Sequence, residues 1–138
     1  KSGDDLFVSF QSPTNGYLVV YLVDADQHAF CLLPYQNMKD GCFRVEANKR
    51  YVLFSIDNAA SELKQYVDEY TMTCSHEQEM NQLYVVFSTS PFVKAIDNKH
   101  KESLPRELSY EEFQKWLVKC RTKDINMVLK KTTITIHK

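Results

Sequence analysis

Residues 17–23 read Tyr-Leu-Val-Val-Tyr-Leu-Val, seven consecutive apolar positions. Such a run is too apolar for a strand with one wet face and too short for a globular helix, so it predicts a strand buried on both faces. Just before it, Pro13 presets φ for a turn, and Asn15-Gly16 tolerate positive φ. A second run of the same kind spans residues 82–89, centred on Leu83-Tyr84-Val85-Val86-Phe87. The two greasiest segments are expected to lie side by side inside one sheet.

The other elements follow from weaker patterns. Leu6, Val8 and Phe10 alternate with Phe7, Ser9 and Gln11, which predicts a first strand over 6–11. After residues 17–23, the polar turn Asp24-Ala25-Asp26-Gln27 leads into a third strand at 29–33, closed by Pro34. Short connections among these three favour an antiparallel meander. Residues 35–41 read as a polar loop. Phe43, Val45 and Ala47 alternate with Arg44 and Glu46 as a half-exposed strand, and a turn at Asn48-Lys49 leads into another strand at 50–56. Residues 61–65 read as a helical turn or irregular chain. Tyr66, Tyr70, Met72 and Cys74 share one face of a further expected strand, and 75–80 reads as a polar loop. Ser90-Pro91 is placed to start a short helix, and 97–106 reads as an exposed linker.

One helix has a full set of signals. Ser109 and Glu112 form a capping box, in which each side chain satisfies a free backbone donor at the helix start. Phe113, Trp116, Leu117 and Cys120 then fall at i, i+3, i+4 and i+7, a single apolar stripe that reads as a docking face for the domain's own core. Lys119, Arg121 and Lys123 suit the negative end of the helix dipole. The last strand, over 125–137, switches its alternation at Lys130-Lys131, which predicts a bulge or turn there.

Composition narrows the function more by exclusion than by indication. The 138 residues suit one domain that folds without metal or disulfide, and 43% hydrophobic with 25% charged residues is ordinary for a soluble globular chain. A net charge of −1 provides no field to attract nucleic acid, and three glycines argue against phosphate-cradling loops. The small basic cluster Lys99-His100-Lys101, flanked by Asp97 and Glu102, reads as a solvated loop. No run approaches the roughly 18 apolar residues of a membrane span. The chain opens on Lys1 rather than Met, so a trimmed N-terminus is expected. Cys31, Cys42, Cys74 and Cys120 contain no CxxC pair and read as small buried hydrophobes, with a Cys31–Cys42 bridge conceivable between neighbouring strands.

Candidate chemistry is sparse. Cys74 and His76 are the sole Cys/His neighbours, two apart on one strand face, with no acidic orienter or oxyanion loop recognisable. His28, His76, His100 and His137 are scattered, and Glu77 and Glu79 beside His76 read as an acidic loop rather than a chelate. Glu107, Glu111 and Glu112 resemble paired carboxylates but suit a helix N-terminus better. Tyr35, Tyr66 and Tyr70 would serve a sugar-stacking surface if exposed, although core aromatics are the default. No catalytic residue, cofactor or metal site is expected.

At the first strands the chain resembles a known family. Val8-Ser9-Phe10, Ser12-Pro13, the strand from Asn15-Gly16-Tyr17 to Val23, and Phe30-Cys31-Leu32-Leu33-Pro34 look like domain-of-unknown-function family 4384, in the flavour of exported Bacteroides-type proteins. Arg50-Tyr51-Val52-Leu53-Phe54-Ser55 and the strand Leu83 to Thr89 are similar to its later elements. The resemblance covers about Asp5 to Val93, and Leu104 to Lys138 looks like an extension added to it. The family has no established activity and no catalytic residues to carry over. Its members tend to be appended to other domains, caspase-like peptidases and kinases among them, or to sit in envelope proteins.

The expectation is therefore a single mainly β domain over 1–138: an antiparallel sandwich or partly open barrel, with a β core over 5–97 and a helix plus strand over 104–138. The resemblance implies a non-catalytic accessory binding or scaffolding module of a larger exported bacterial protein, in the periplasm or cell envelope, with the cytoplasm as the alternative. Its partner would be a protein or neighbouring domain, with no nucleic acid and no transmembrane segment. A carbohydrate-binding module and a small cysteine-dependent hydrolase are the alternatives.

Overall fold

The computed structural model describes residues 5–36, 38, 42–71, 78–92, 95–96, 102–103 and 106–137. The two apolar runs become β2 (Gly16–Val23) and β6 (Gln78–Ser88), paired antiparallel from Tyr17↔Ser88 to Val23↔Gln82. On the other side of β2 lie β3 (His28–Leu33) and, beside its first residues, β4 (Arg44–Val45). Strands β9 (Glu107–Ser109) and β10 (Val128–His137) close the edges, giving the order β10-β6-β2-β3-β9. A second antiparallel sheet pairs β1 (Val8–Phe10) with β5 (Tyr51–Leu53). A small hairpin joins β7 (Ala95–Ile96) to β8 (Glu102–Ser103), and the helix α1 spans Tyr110–Lys123.

Strand periodicity distributes the core to both faces of the main sheet. Val19, Tyr21 and Val23 of β2, with Tyr84 and Val86 of β6, meet Phe113, Trp116, Leu117 and Cys120 of α1 on one face. The Tyr21 ring sits 4.8 Å from Phe113 and 5.1 Å from Trp116. Leu18, Val20 and Leu83 point the other way, onto Leu6, Tyr51, Leu53 and Phe54 of the second sheet and its loops. Each such large side chain, fully buried, contributes about 1.5–3 kcal/mol, so both faces of this sheet are major sources of stability. Among the described residues the architecture is mainly β and sandwich-like, not a closed barrel, with one helix near the C-terminus.

Gly16 is required where β2 begins. A Cβ there would lie 2.5 Å from the Phe87 ring and 2.5 Å from the Ser88 carbonyl oxygen, closer than any side chain tolerates. The predicted cap of α1 forms as read: Ser109 Oγ accepts from the Glu112 N–H at 3.2 Å, and Glu112 accepts from the Ser109 N–H at 3.1 Å. At the far end Asp124 accepts from Ser88 Oγ at 2.6 Å, tying the helix exit to the end of β6.

Several expectations are corrected. β1 does not join a meander with β2 and β3; it pairs with β5 in the other layer. The chain between β4 and β5 is likewise a crossing between layers, since β4 pairs with β2 and β5 with β1. Asn48 takes φ 64° in that corner, and its N–H donates to the Ser12 carbonyl. β5 stops at Leu53, before Phe54 at φ 66°, so it is shorter than the apolar run. Residues 66–71 form no strand, and Met72 and Cys74 of the expected face lie outside the described residues. Leu63, Tyr66, Val67 and Tyr70 instead pack as a winding cover over the second core, at the i, i+3, i+4, i+7 spacing of a helix-like stripe. β6 begins at Gln78, inside the expected polar loop, and β8 occupies part of the expected linker. Residues 90–92 are not helical. The predicted bulge at Lys130-Lys131 is absent, because β10 pairs with β6 without interruption from Val128↔Phe87 to His137↔Gln78. The irregularity falls in β3, where Leu32 is the extra residue between Val20↔Leu33 and Tyr21↔Cys31. It lets Leu32 and Leu33 both enter the second core while Cys31 enters the first.

Candidate functional site

The second sheet is narrower than the sheet it covers. Two strands among the described residues face a layer that extends from β10 across to β9, and the cover runs out on the β10 side, where Val128, Lys130 and Thr132 stand open beside residues 6–11. The result is a groove of about 560 Å³, within the range of ligand sites. Residues 6–11 form its wall. Its floor is three cross-strand pairs on one face of β6 and β10: Leu83 with Thr132, Val85 with Lys130, and Phe87 with Val128. Phe10 leans from the wall onto the floor, its ring 5.7 Å from Phe87. Val128 remains 59% exposed and Phe7 55%, unusually bare for apolar side chains in strands or beside them. Lys130 is the one ionisable side chain among the described lining residues.

Sequence reasoning missed this groove, because its parts come from three separated segments. The signal was present in β10, where Val128 and Leu129 precede Lys130-Lys131 without a polar alternation. That pattern marked an edge strand whose faces are not both covered, rather than a bulge.

The residues singled out by sequence do not converge. Cys74, His76, Glu77 and His100, with the Lys99-His100-Lys101 cluster, lie outside the described residues, as do the side chains of Glu79 and His137. Cys31 is buried with a free thiol that donates to the Leu33 carbonyl at 3.2 Å, so a Cys31–Cys42 bridge is not formed. Cys120 is buried under α1 and Cys42 is half-buried. Exposed His28 has Nδ1 3.9 Å from an Asp24 carboxylate oxygen. Glu112 caps α1, and Glu111 pairs with Lys115 at 3.4 Å on the helix surface. Tyr35 is buried, its hydroxyl accepting from the Phe54 N–H at 2.9 Å, and Tyr66 and Tyr70 are half-buried against the same core. They form no exposed row. Among the described residues no three His, Cys, Asp or Glu side chains gather as metal ligands.

Buried ionisable groups lie in the cores rather than in the groove. Burial pushes the Cys31 thiol up to about 11, with the Arg106 guanidinium opposing, and pushes the Tyr35 hydroxyl up to about 12. Tyr21, hydrogen-bonded to Cys31, is raised further, again by burial. A thiol that stays protonated at neutral pH is a poor nucleophile. Arg106 serves the fold: its guanidinium donates to the Pro34 carbonyl at 2.7 Å and to the Cys31 carbonyl at 3.2 Å, clasping the start of β9 to the end of β3.

No helix among the described residues is long and apolar enough to cross a membrane. No family model matches the chain, and neither a curated protein nor a solved structure matches it.

Proposed function

We propose that this chain is a non-catalytic accessory module of a larger exported bacterial protein, and that it binds a protein partner or neighbouring domain through the groove between β1 and β10. The observation that carries the reading is the groove itself: an open, mostly apolar floor, a strand wall and, among the described lining residues, a single charge. Such a surface holds a ligand but offers no acid and base to transform it. The resemblance to domain-of-unknown-function family 4384 supports the accessory role and the export to the periplasm or envelope.

The test uses the neighbouring domains of the full-length gene product, each purified and titrated into the isotope-labelled chain. Amide shifts are expected along β1 and β10. Val128→Glu, which places a charge on the floor, should abolish binding, whereas Val118→Glu on the outer face of α1 should leave it unchanged. Binding that survives Val128→Glu overturns the groove as the docking site. Fractionation of cells expressing the full-length product tests export; recovery in the cytosol overturns that part.

A further inference from the structure

We propose that the occupant is an extended acidic peptide segment that adds as a strand to β1, laying alternate apolar side chains on the floor and a carboxylate at Lys130. The inference rests on the groove being the docking site and specifies what docks there.

Four observations point to it. The first is that six consecutive residues, 6–11, border the groove. A strand seen on one face would contribute every second residue, so β1 presents its edge. The second is which backbone groups that edge carries. The Leu6 N–H donates to the Tyr70 carbonyl at 2.9 Å, and the Tyr70 ring packs 5.5 Å from Phe54, the residue that follows β5. Leu6 is therefore paired on the β5 side of the strand. Alternation then turns the N–H and C=O of Phe7 and Ser9 towards the groove, where no strand pairs with them among the described residues.

The third is spacing. Neighbouring strands lie about 4.8 Å apart and packed sheets about 10 Å apart. A strand added to β1 would continue the narrower layer over β10, the part of the main sheet it leaves bare. The floor repeats at the same period of two, so side chains at alternate positions of an added strand would interleave with it. The fourth is charge. Lys130 has no carboxylate partner among the described residues, while its neighbour Lys131 is turned to the opposite face, 5.6 Å from the Tyr84 ring. A carboxylate facing the floor complements Lys130, and a basic residue there is repelled.

The experiment is a titration followed by amide shifts and hydrogen exchange. The probe is a seven-residue peptide with blocked ends, Val, Glu and Val at positions two, four and six, and Thr elsewhere. Binding should shift β1 and β10 and slow exchange at Phe7 and Ser9. Lys130→Glu should weaken binding about fivefold, and a peptide with Lys at position four should recover it on that variant. N-methylation is the signature for a strand: blocking the amides of one parity should weaken binding roughly tenfold or more, while blocking the other parity leaves it intact. Equal effects of the two N-methylated peptides overturn strand addition. So does no binding of the probe at millimolar concentration, or protection of the β1 edge by concentration-dependent dimers of the chain alone. In each case the docking reading still stands if the neighbouring domain binds and Val128→Glu abolishes that binding; its own failure shows as insensitivity to that substitution.

Discussion

Cys31 and Tyr35 are held neutral by the cores that surround them, and that couples stability to alkaline pH. The ordinary values are 9.0 for the thiol and 10.0 for the hydroxyl; in the fold they rise to about 11 and about 12, mainly through burial. The unfolded chain therefore releases these protons first and binds fewer of them than the fold across that window. The stabilisation is complete below pH 9 and is lost as pH rises through 11 and 12. Urea midpoints measured from about pH 8 to about pH 12 should fall above about pH 9, and Cys31→Ala should remove the lower part of the fall. In the same fold Cys31 should resist alkylation near neutral pH until denaturant is added, as read by mass spectrometry of its peptide. Rapid labelling in the native protein would contradict the burial. Little of this was legible in the sequence: a cysteine in an apolar run announces burial, but the Tyr21 and Arg106 that share its surroundings come from other strands or the turn before one.

Among the elements, α1 was the most legible, since its signals are local. The cap, the stripe and the basic last turn all lie between Ser109 and Lys123 and act on the helix itself. Ser109→Ala removes the acceptor for the Glu112 N–H and should cost about 1 kcal/mol in denaturant unfolding. A loss below a few tenths would mean that packing on Tyr21 and Tyr84 alone holds the helix start. The strands were legible in proportion to their burial. β2 and β6 are flanked on both sides; β2 is covered on both faces, and β6 is covered on the helix side and only in part on the other, where Val85 and Phe87 reach the groove, yet both stretches are nearly all apolar. β10 has a neighbour on one side only among the described residues, its described side chains from 128 to 133 are all exposed, and its pattern misled about a bulge.

For the whole molecule, the central fact is that one sheet carries two cores on opposite faces. β2 contributes to both in alternation, so neither core can melt without disordering the strand that belongs to the other. Phe113→Ala, on the helix side, and Leu53→Ala, on the side of the second sheet, should each destabilise by about 3 kcal/mol. Both should shift one shared transition, with Trp116 fluorescence and far-ultraviolet circular dichroism coincident. Separate transitions for the two variants would show that the faces fold independently. The same arrangement explains where a docking site can exist: a narrow layer over a broad one leaves its surplus at the edge, and here the surplus is the floor beside β1.

The amino-acid sequence by itself determined the two central strands, the capped helix and the mainly β class, because each is dictated by local periodicity and by burial that leaves its mark on consecutive residues. Only the tertiary structure decided that β1 leaves the meander for a second layer, that Leu32 carries the bulge, and that residues 6–11 stand beside Lys130. Those outcomes depend on contacts between segments far apart in the chain, and the pattern within any one segment is compatible with several such pairings.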